Sequence, residues 1–199
     1  MTRRDRRSAI SATELMAQLQ NDPEYQRKMR TAEEERQVKV RELARAEQPI
    51  VADLRHAGVQ VDSVWDLVNT SEPYPAALPV LIGHMERGGY PDRVMESLGR
   101  ALAVKPSVAF WDRLRALYLA PRGAGEQEGA AVALAASATA HHLDELVGFL
   151  SLEERGQSRI YFVRPILAVG GGRGRQLVMS LRSDPVFGKE ARALLSRRT

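Results

Sequence analysis

The sequence predicts an all-α protein: a right-handed α-solenoid of stacked antiparallel helix pairs, preceded by a long charged helix. Three observations predict it. From residue 62 onward, apolar residues recur at spacings of three and four in a succession of short segments. No segment alternates with period two over any length, so no sheet is placed. The segments pair, and the pairs recur about every 30 to 33 residues, the range in which helix-turn-helix units form solenoids. One such pair has too small a core to stand alone, whereas a stack buries a continuous one.

The elements follow in order. Residues 1–22 read as a flexible N-terminus with a short helix. The first ten are charged and nearly free of large apolar groups, which predicts disorder. Ser11 to Glu14 has capping-box spacing before a helix to about Gln20. Asp22 and Pro23 then read as the cap and first position of a long helix over 23–57. Its apolar stripe, from Tyr25 and Met29 through Val40 and Leu43 to Ile50 and Leu54, is thin and interrupted by charge. Glu24–Lys28 and Glu35–Lys39 lie four apart as supporting pairs. Core-facing helices carry wider stripes, so the first half is expected to be a solvated arm or to pack on a partner. Pro49 is expected to kink this helix, and "IVADLRHAG" beyond it to dock on the main body.

Residues 62–198 form the expected repeat domain. "DSVWDLVN" is a short helix. Further helices are expected near 75–88, 91–104, 107–120, 125–139, 141–151, 157–169, 173–183 and 185–197. Pro75 and Pro91 suit first helical positions, and Gly88–Gly89 and "GGG" at 170–172 read as stops. In "YPDRVMESLGRALAV", Val94, Leu98 and Leu102 recur every four residues with Met95 and Ala101 beside them, a broad apolar face.

"YPDRVMESLGRALA" and "DPVFGKEARALL" resemble the second helices of short HEAT-like repeats, in which a D-P or P-D start leads a helix rich in Leu and small residues. "DLVNTSEPYPAALPVLIGHM" is similar to the entry segment of bacterial HEAT-repeat proteins of unassigned function. The resemblance covers residues 73–198 as four degenerate units and implies fold rather than activity. The unit at 106–139 departs from the pattern: "APRGAGEQEGAAVALAASATA" is rich in Ala and Gly and lacks the D-P start, leaving its helix boundaries open.

The chain has 199 residues, 44% hydrophobic, with no cysteine, which excludes disulfides and thiolate metal sites and fits a cytoplasmic location. The arginine pairs near the N-terminus are followed by no apolar run, so no secretion signal is read, and no stretch has the length of a membrane span. Net charge is +4 but uneven. Residues 58–150 carry 7 basic and 11 acidic side chains, whereas 151–199 carry 10 basic and 4 acidic. Such a dipolar chain can steer an acidic partner to its C-terminal end.

Motifs with chemical content are few. "GGGRGR" lacks the Lys-Ser/Thr of a P-loop and has no strand before it, so it reads as a turn, with Arg173 and Arg175 near a helix start. His141 and Glu145 stand four apart, a metal-ligand spacing without a third partner. His84 reads as a surface or interface imidazole. Trp111 beside Asp112 resembles a feature of alkylated-base DNA glycosylases built on HEAT-like repeats, but Trp111, Leu114, Leu117 and Tyr118 also fit a core stripe. No catalytic residue, metal ligand or cofactor is assigned.

Function is therefore read from architecture: a non-catalytic scaffold or adaptor receiving another protein, an acidic one among the candidates, on the concave face of the solenoid. Second helices line that face. Their polar residues between core positions are the candidate contacts: Arg93, Glu96, Arg100, Arg159, Arg164, Lys189 and Arg192. Self-association through the N-terminal helix is a further expectation. The alternative is a nucleic-acid-binding protein or base-repair enzyme using the arginine-rich C-terminal end.

Overall fold

The computed structural model describes residues 11–196, and every regular element among them is helical. No helix among these residues is long and apolar enough to cross a membrane. The chain divides into two compact units between Glu42 and Leu43.

The N-terminal unit holds α1 (Ala12–Asn21) and the first part of α2 (Pro23–His56). Asp22 starts α2, its Oδ1 accepting from the Glu24 amide at 2.8 Å, with Pro23 in the first turn where its missing N–H costs nothing. The side chain needed for the Ser11–Glu14 capping box lies outside the described residues. Glu24 and Lys28 pair at 2.8 Å, and Glu33 with Arg36 at 2.6 Å. Both pairs are solvated, and Met29, Val38 and Val40 are exposed.

The second unit begins within α2, which runs through Pro49 without interruption. Here the helix buries Glu47, Ile50, Val51 and Leu54. Helix α3 (Val64–Asn69) follows, held by a capping box in which Ser63 accepts from the backbone and Asp66 returns the contact. A 3₁₀ turn at Pro75–Ala77 leads into α4 (Leu78–Arg87), and α5 (Asp92–Ala101) starts directly after Pro91. Then come a 3₁₀ segment at Lys105–Phe110, α6 (Trp111–Leu119) and α7 (Ala124–Ser137). The remaining α-helices are α8 (Leu143–Leu150), α9 (Val163–Val169), α10 (Gly171–Ser180) and α11 (Gly188–Ser196).

From α4 onward, neighbours in sequence pack on one another: α4 with α5, α6 with α7, α8 with α9, α9 with α10 and α10 with α11. The second members also touch in succession, α5 on α7, α7 on α9 and α9 on α11. One continuous core runs through the unit, from Ile50 and Leu54 to Ala191 and Leu194. Near its middle Tyr118, Phe149 and Phe162 meet edge-on or tilted, with ring centroids 4.9 to 5.3 Å apart.

The Ala- and Gly-rich segment is the most heavily packed helix, not an irregular one. Helix α7 touches α5, α6, α9 and the 3₁₀ segments at Lys105–Phe110 and Glu153–Phe162, and only small side chains leave room for that many neighbours. At the α5–α7 crossing a Cβ on Gly99 would lie 2.1 Å from the Gly129 Cα, so the two backbones meet directly. In the "GGG" run only Gly170 is crowded in this way, whereas Gly171 takes a φ of 54° and Gly172 has open space beside it. Gly170 and Gly174 bring α9 and α10 together so closely that a Cβ on Gly174 would sit 2.1 Å from the Ile166 carbonyl oxygen. Only Gly170 separates these two helices, so the run begins α10 as well as ending α9.

The expected helix over 157–169 is α-helical only from Val163. Before it lies a 3₁₀ segment, Glu153–Phe162, broken at Gly156 with φ of 53°. Helix α11 starts at Gly188, three residues later than expected, because Asp184 Oδ1 first accepts from the amides of Val186 and Phe187 in a turn.

Candidate functional site

Helix α5 presents Arg93, Glu96 and Arg100 at three- and four-residue spacing on one face. Glu96 accepts from Arg93 at 3.1 Å and from Arg100 at 2.8 Å. Arg93 also lies over the Trp65 ring, 5.3 Å from its centroid. Arg100 reaches toward Glu128 of α7 at 3.7 Å, and the Tyr161 hydroxyl donates to Glu128 at 2.6 Å. The chain of contacts thus crosses from α5 to α7 to the 3₁₀ segment before α9. Its electrostatics are consistent. The Glu96 carboxylate holds the Arg100 guanidinium above its usual pKa, and burial pushes the Tyr161 phenol up, with donation to Glu128 adding to the rise. Tyr161 therefore stays a donor.

Two grooves flank this strip. One, of about 440 Å³, is lined by Leu67, Val68, Tyr74, Leu78, Val104 and Pro106 with Arg100 at its side. The other, of about 380 Å³, lies along α7 and α9, with Tyr161 and Arg164 among its walls. Arg100 belongs to the first groove and Tyr161 to the second, and both hold Glu128. The grooves are therefore linked through Glu128.

The other candidate contacts are distributed differently. Arg164 is exposed and makes no ion pair or hydrogen bond with any described residue. Arg159 is tied to the fold: it donates to the carbonyls of Gly156 and Leu150 and lies 5.3 Å from the Phe187 ring centroid. Lys189 is exposed on α11. Arg192 donates to the Arg182 carbonyl and, with Arg175 and Arg182, borders a cleft of about 390 Å³ beside Met179 and Leu195. The structure thus joins Arg93, Glu96 and Arg100 in one strip reaching the groove of Arg164, and sets Lys189 and Arg192 on the terminal helix. Glu128, Tyr161 and Lys105 were missed. A signal for two of them existed: Glu96, Glu128 and Tyr161 are 32 and 33 residues apart, one repeat each.

His84, expected as a surface or interface imidazole, is not at the surface. It is 2% exposed, with Nε2 2.9 Å from Asp53 of α2 and Nδ1 2.7 Å from the Tyr90 hydroxyl. Burial lowers its pKa, the nearby Arg87 adds to this, and Asp53 opposes it. Both ring nitrogens are engaged inside the fold, so His84 ties α2 to α4 rather than facing a ligand. Trp111 is also a core residue. It stacks on His142 at 3.7 Å between centroids, and its indole N–H donates to Glu145 at 2.6 Å. Glu145 further accepts from Arg115 at 3.1 Å, which occupies the carboxylate that the His141 spacing had suggested for a metal. Among the described residues no three metal-binding side chains gather. Arg173 pairs with Asp144 at 2.6 Å, so it is not held open for an anion.

No protein-family model, curated protein or solved structure matches the chain.

Proposed function

We propose that the chain is a non-catalytic protein-binding scaffold: a right-handed α-solenoid of short HEAT-like repeats whose second helices receive a partner. The observation that carries this reading is the strip Arg93–Glu96–Arg100–Glu128–Tyr161 between two apolar grooves. It combines concave apolar surface with fixed polar groups, the composition of a recognition surface. The succession of contacts α5–α7–α9–α11 supports the solenoid. The partner is a protein, acidic where it meets the basic side chains, and the setting is the cytoplasm.

The test compares the intact chain with Arg100→Glu/Ala103→Trp in affinity capture. Ala103 lines the first groove and is half-buried at its rim. A protein retained by the intact chain and lost from the variant is the expected result. Equal retention by both, or no retained protein, overturns the reading.

A second reading rests on Arg175, Arg182 and Arg192 around one cleft at the C-terminal end. There a nucleic-acid backbone would be the ligand. Phosphate contacts give affinity that falls steeply with salt, so absence of duplex DNA binding at low salt removes this reading.

A further inference from the structure

The groove along α7 and α9 differs from the rest of the face in its charge. Its floor is aliphatic and small: Val132, Ala135 and Ala136 from α7, with Pro165, Ala168 and Val169 from α9. The charged side chains lining it are Lys105 and Arg164, and no carboxylate lines it. The acidic group nearest in the network, Glu128, is already held by Tyr161 and Arg100.

Arg164, like Arg175 and Arg182, differs from the arginines whose charge the fold itself neutralises. Arg100, Arg113, Arg115, Arg122 and Arg173 each pair with a carboxylate of the fold at 2.6 to 3.1 Å. Arg164 has no such partner among the described residues. Lys105 gives one hydrogen to the Ala138 carbonyl at 3.3 Å, which leaves two N–H donors for another acceptor. The groove therefore offers a guanidinium, a partly free ammonium and a shallow aliphatic floor, with nothing in the fold to neutralise the two charges.

We propose that this groove is the specificity pocket of the binding face and takes a short segment of a protein partner in which an Asp or Glu adjoins an aliphatic side chain. The aliphatic group covers the Val132, Ala136 and Val169 floor, and the carboxylate meets Arg164 and Lys105. The complementarity is of both kinds. A basic segment would face two uncompensated cations, and a purely apolar one would cover Arg164 without replacing the water on it. This rests on the protein-binding reading above and adds the chemistry of the partner.

The experiment uses the full chain and a displayed library of random peptides of about 12 residues. Selection runs in parallel on the intact chain, Arg164→Glu and Ala168→Trp. Both positions are exposed, and circular dichroism confirms that the variants keep their helices. The expected outcome is enrichment of peptides bearing Asp or Glu beside Leu, Ile or Val. Their affinity should fall by about tenfold or more on Arg164→Glu, should fall on Ala168→Trp, and should return on Arg164→Glu when the peptide acid is replaced by Lys. Peptides without an acidic residue, undiminished affinity on Arg164→Glu, or no enrichment each overturn the proposal. Peptides lost only on Arg100→Glu/Ala103→Trp overturn it while leaving the binding-face reading intact.

Discussion

Two glycines on adjacent helices have opposite meanings. Gly83 in α4 has nothing within 4 Å of where a Cβ would stand, whereas a Cβ on Gly99 would collide with the Gly129 backbone. Alanine lowers the entropy cost of a helical glycine, so Gly83→Ala should raise stability by about 0.5 to 1 kcal/mol. Gly99→Ala gains the same term and loses more to overpacking, for a net destabilisation of about 1 to 3 kcal/mol. Urea unfolding of the two variants checks both; equal signs would show that the crossing can relax. His84 makes a second residue-scale prediction. Its folded pKa lies below the ordinary 6.5, so the unfolded chain binds the proton more readily. Stability then rises with pH between the two values, is fully present above 6.5, and is lost as pH falls below it. His142 is shifted in the same direction, burial again being the largest cause. Thermal midpoints taken at about pH 7.5 and about pH 5.5 should fall less with acid in His84→Gln than in the parent chain. Equal falls would assign the acid sensitivity elsewhere. Neither residue was legible in the sequence. The partners that bury His84, Asp53 and Tyr90, come from different elements, and a lone imidazole carries no pattern that names them.

At the scale of elements, the sequence was most informative where helices bury one broad face. The α5 stripe of Val94, Leu98 and Leu102 is buried as its spacing requires, as are Trp111, Leu114, Leu117 and Tyr118 of α6. It was least informative in α7, where Ala and Gly surround the helix and no stripe stands out, because contact on several sides erases the periodicity. The 3₁₀ course of Glu153–Phe162 was hidden for another reason: Ile160 and Val163 keep three-residue spacing in either helix type. The terminal element carries its own prediction. Leu194 of α11 is 9% exposed and belongs to the common core. Leu194→Ala should cost about 2 to 5 kcal/mol, read from the shift in denaturant midpoint at constant slope. A cost below about 0.5 kcal/mol would mark α11 as peripheral.

For the whole molecule, the decisive boundary lies inside a helix. Helix α2 has exposed side chains through most of its length to Glu42, and its first fully buried positions are Glu47, Ile50, Val51 and Leu54. The change from a thin charged stripe to "IVADL" suggested docking only after Pro49, whereas burial begins at Glu47 and the division falls between Glu42 and Leu43; the strip of Glu96, Glu128 and Tyr161 needed the repeats to be aligned on one another. A chain starting at Leu43 should keep its thermal midpoint within a few degrees of the full-length value, measured by circular dichroism at 222 nm. A drop well beyond that, or aggregation of the shortened chain, would make residues 1–42 part of the stability of the second unit.

The α5–α7 crossing also bears on how such a chain can change by descent. Gly99 and Gly129 face each other with no side chain between them, and a methyl on Gly99 meets the other's backbone while one on Gly129 meets the Met95 carbonyl oxygen at 2.8 Å. Neither position can drift first, and a change at one is not repaired by a change at the other, since the obstruction is main chain. Divergence of the protein is therefore expected to pass around this joint, through the grooves and the exposed arm, and to leave the distance between the first two helix pairs as it was.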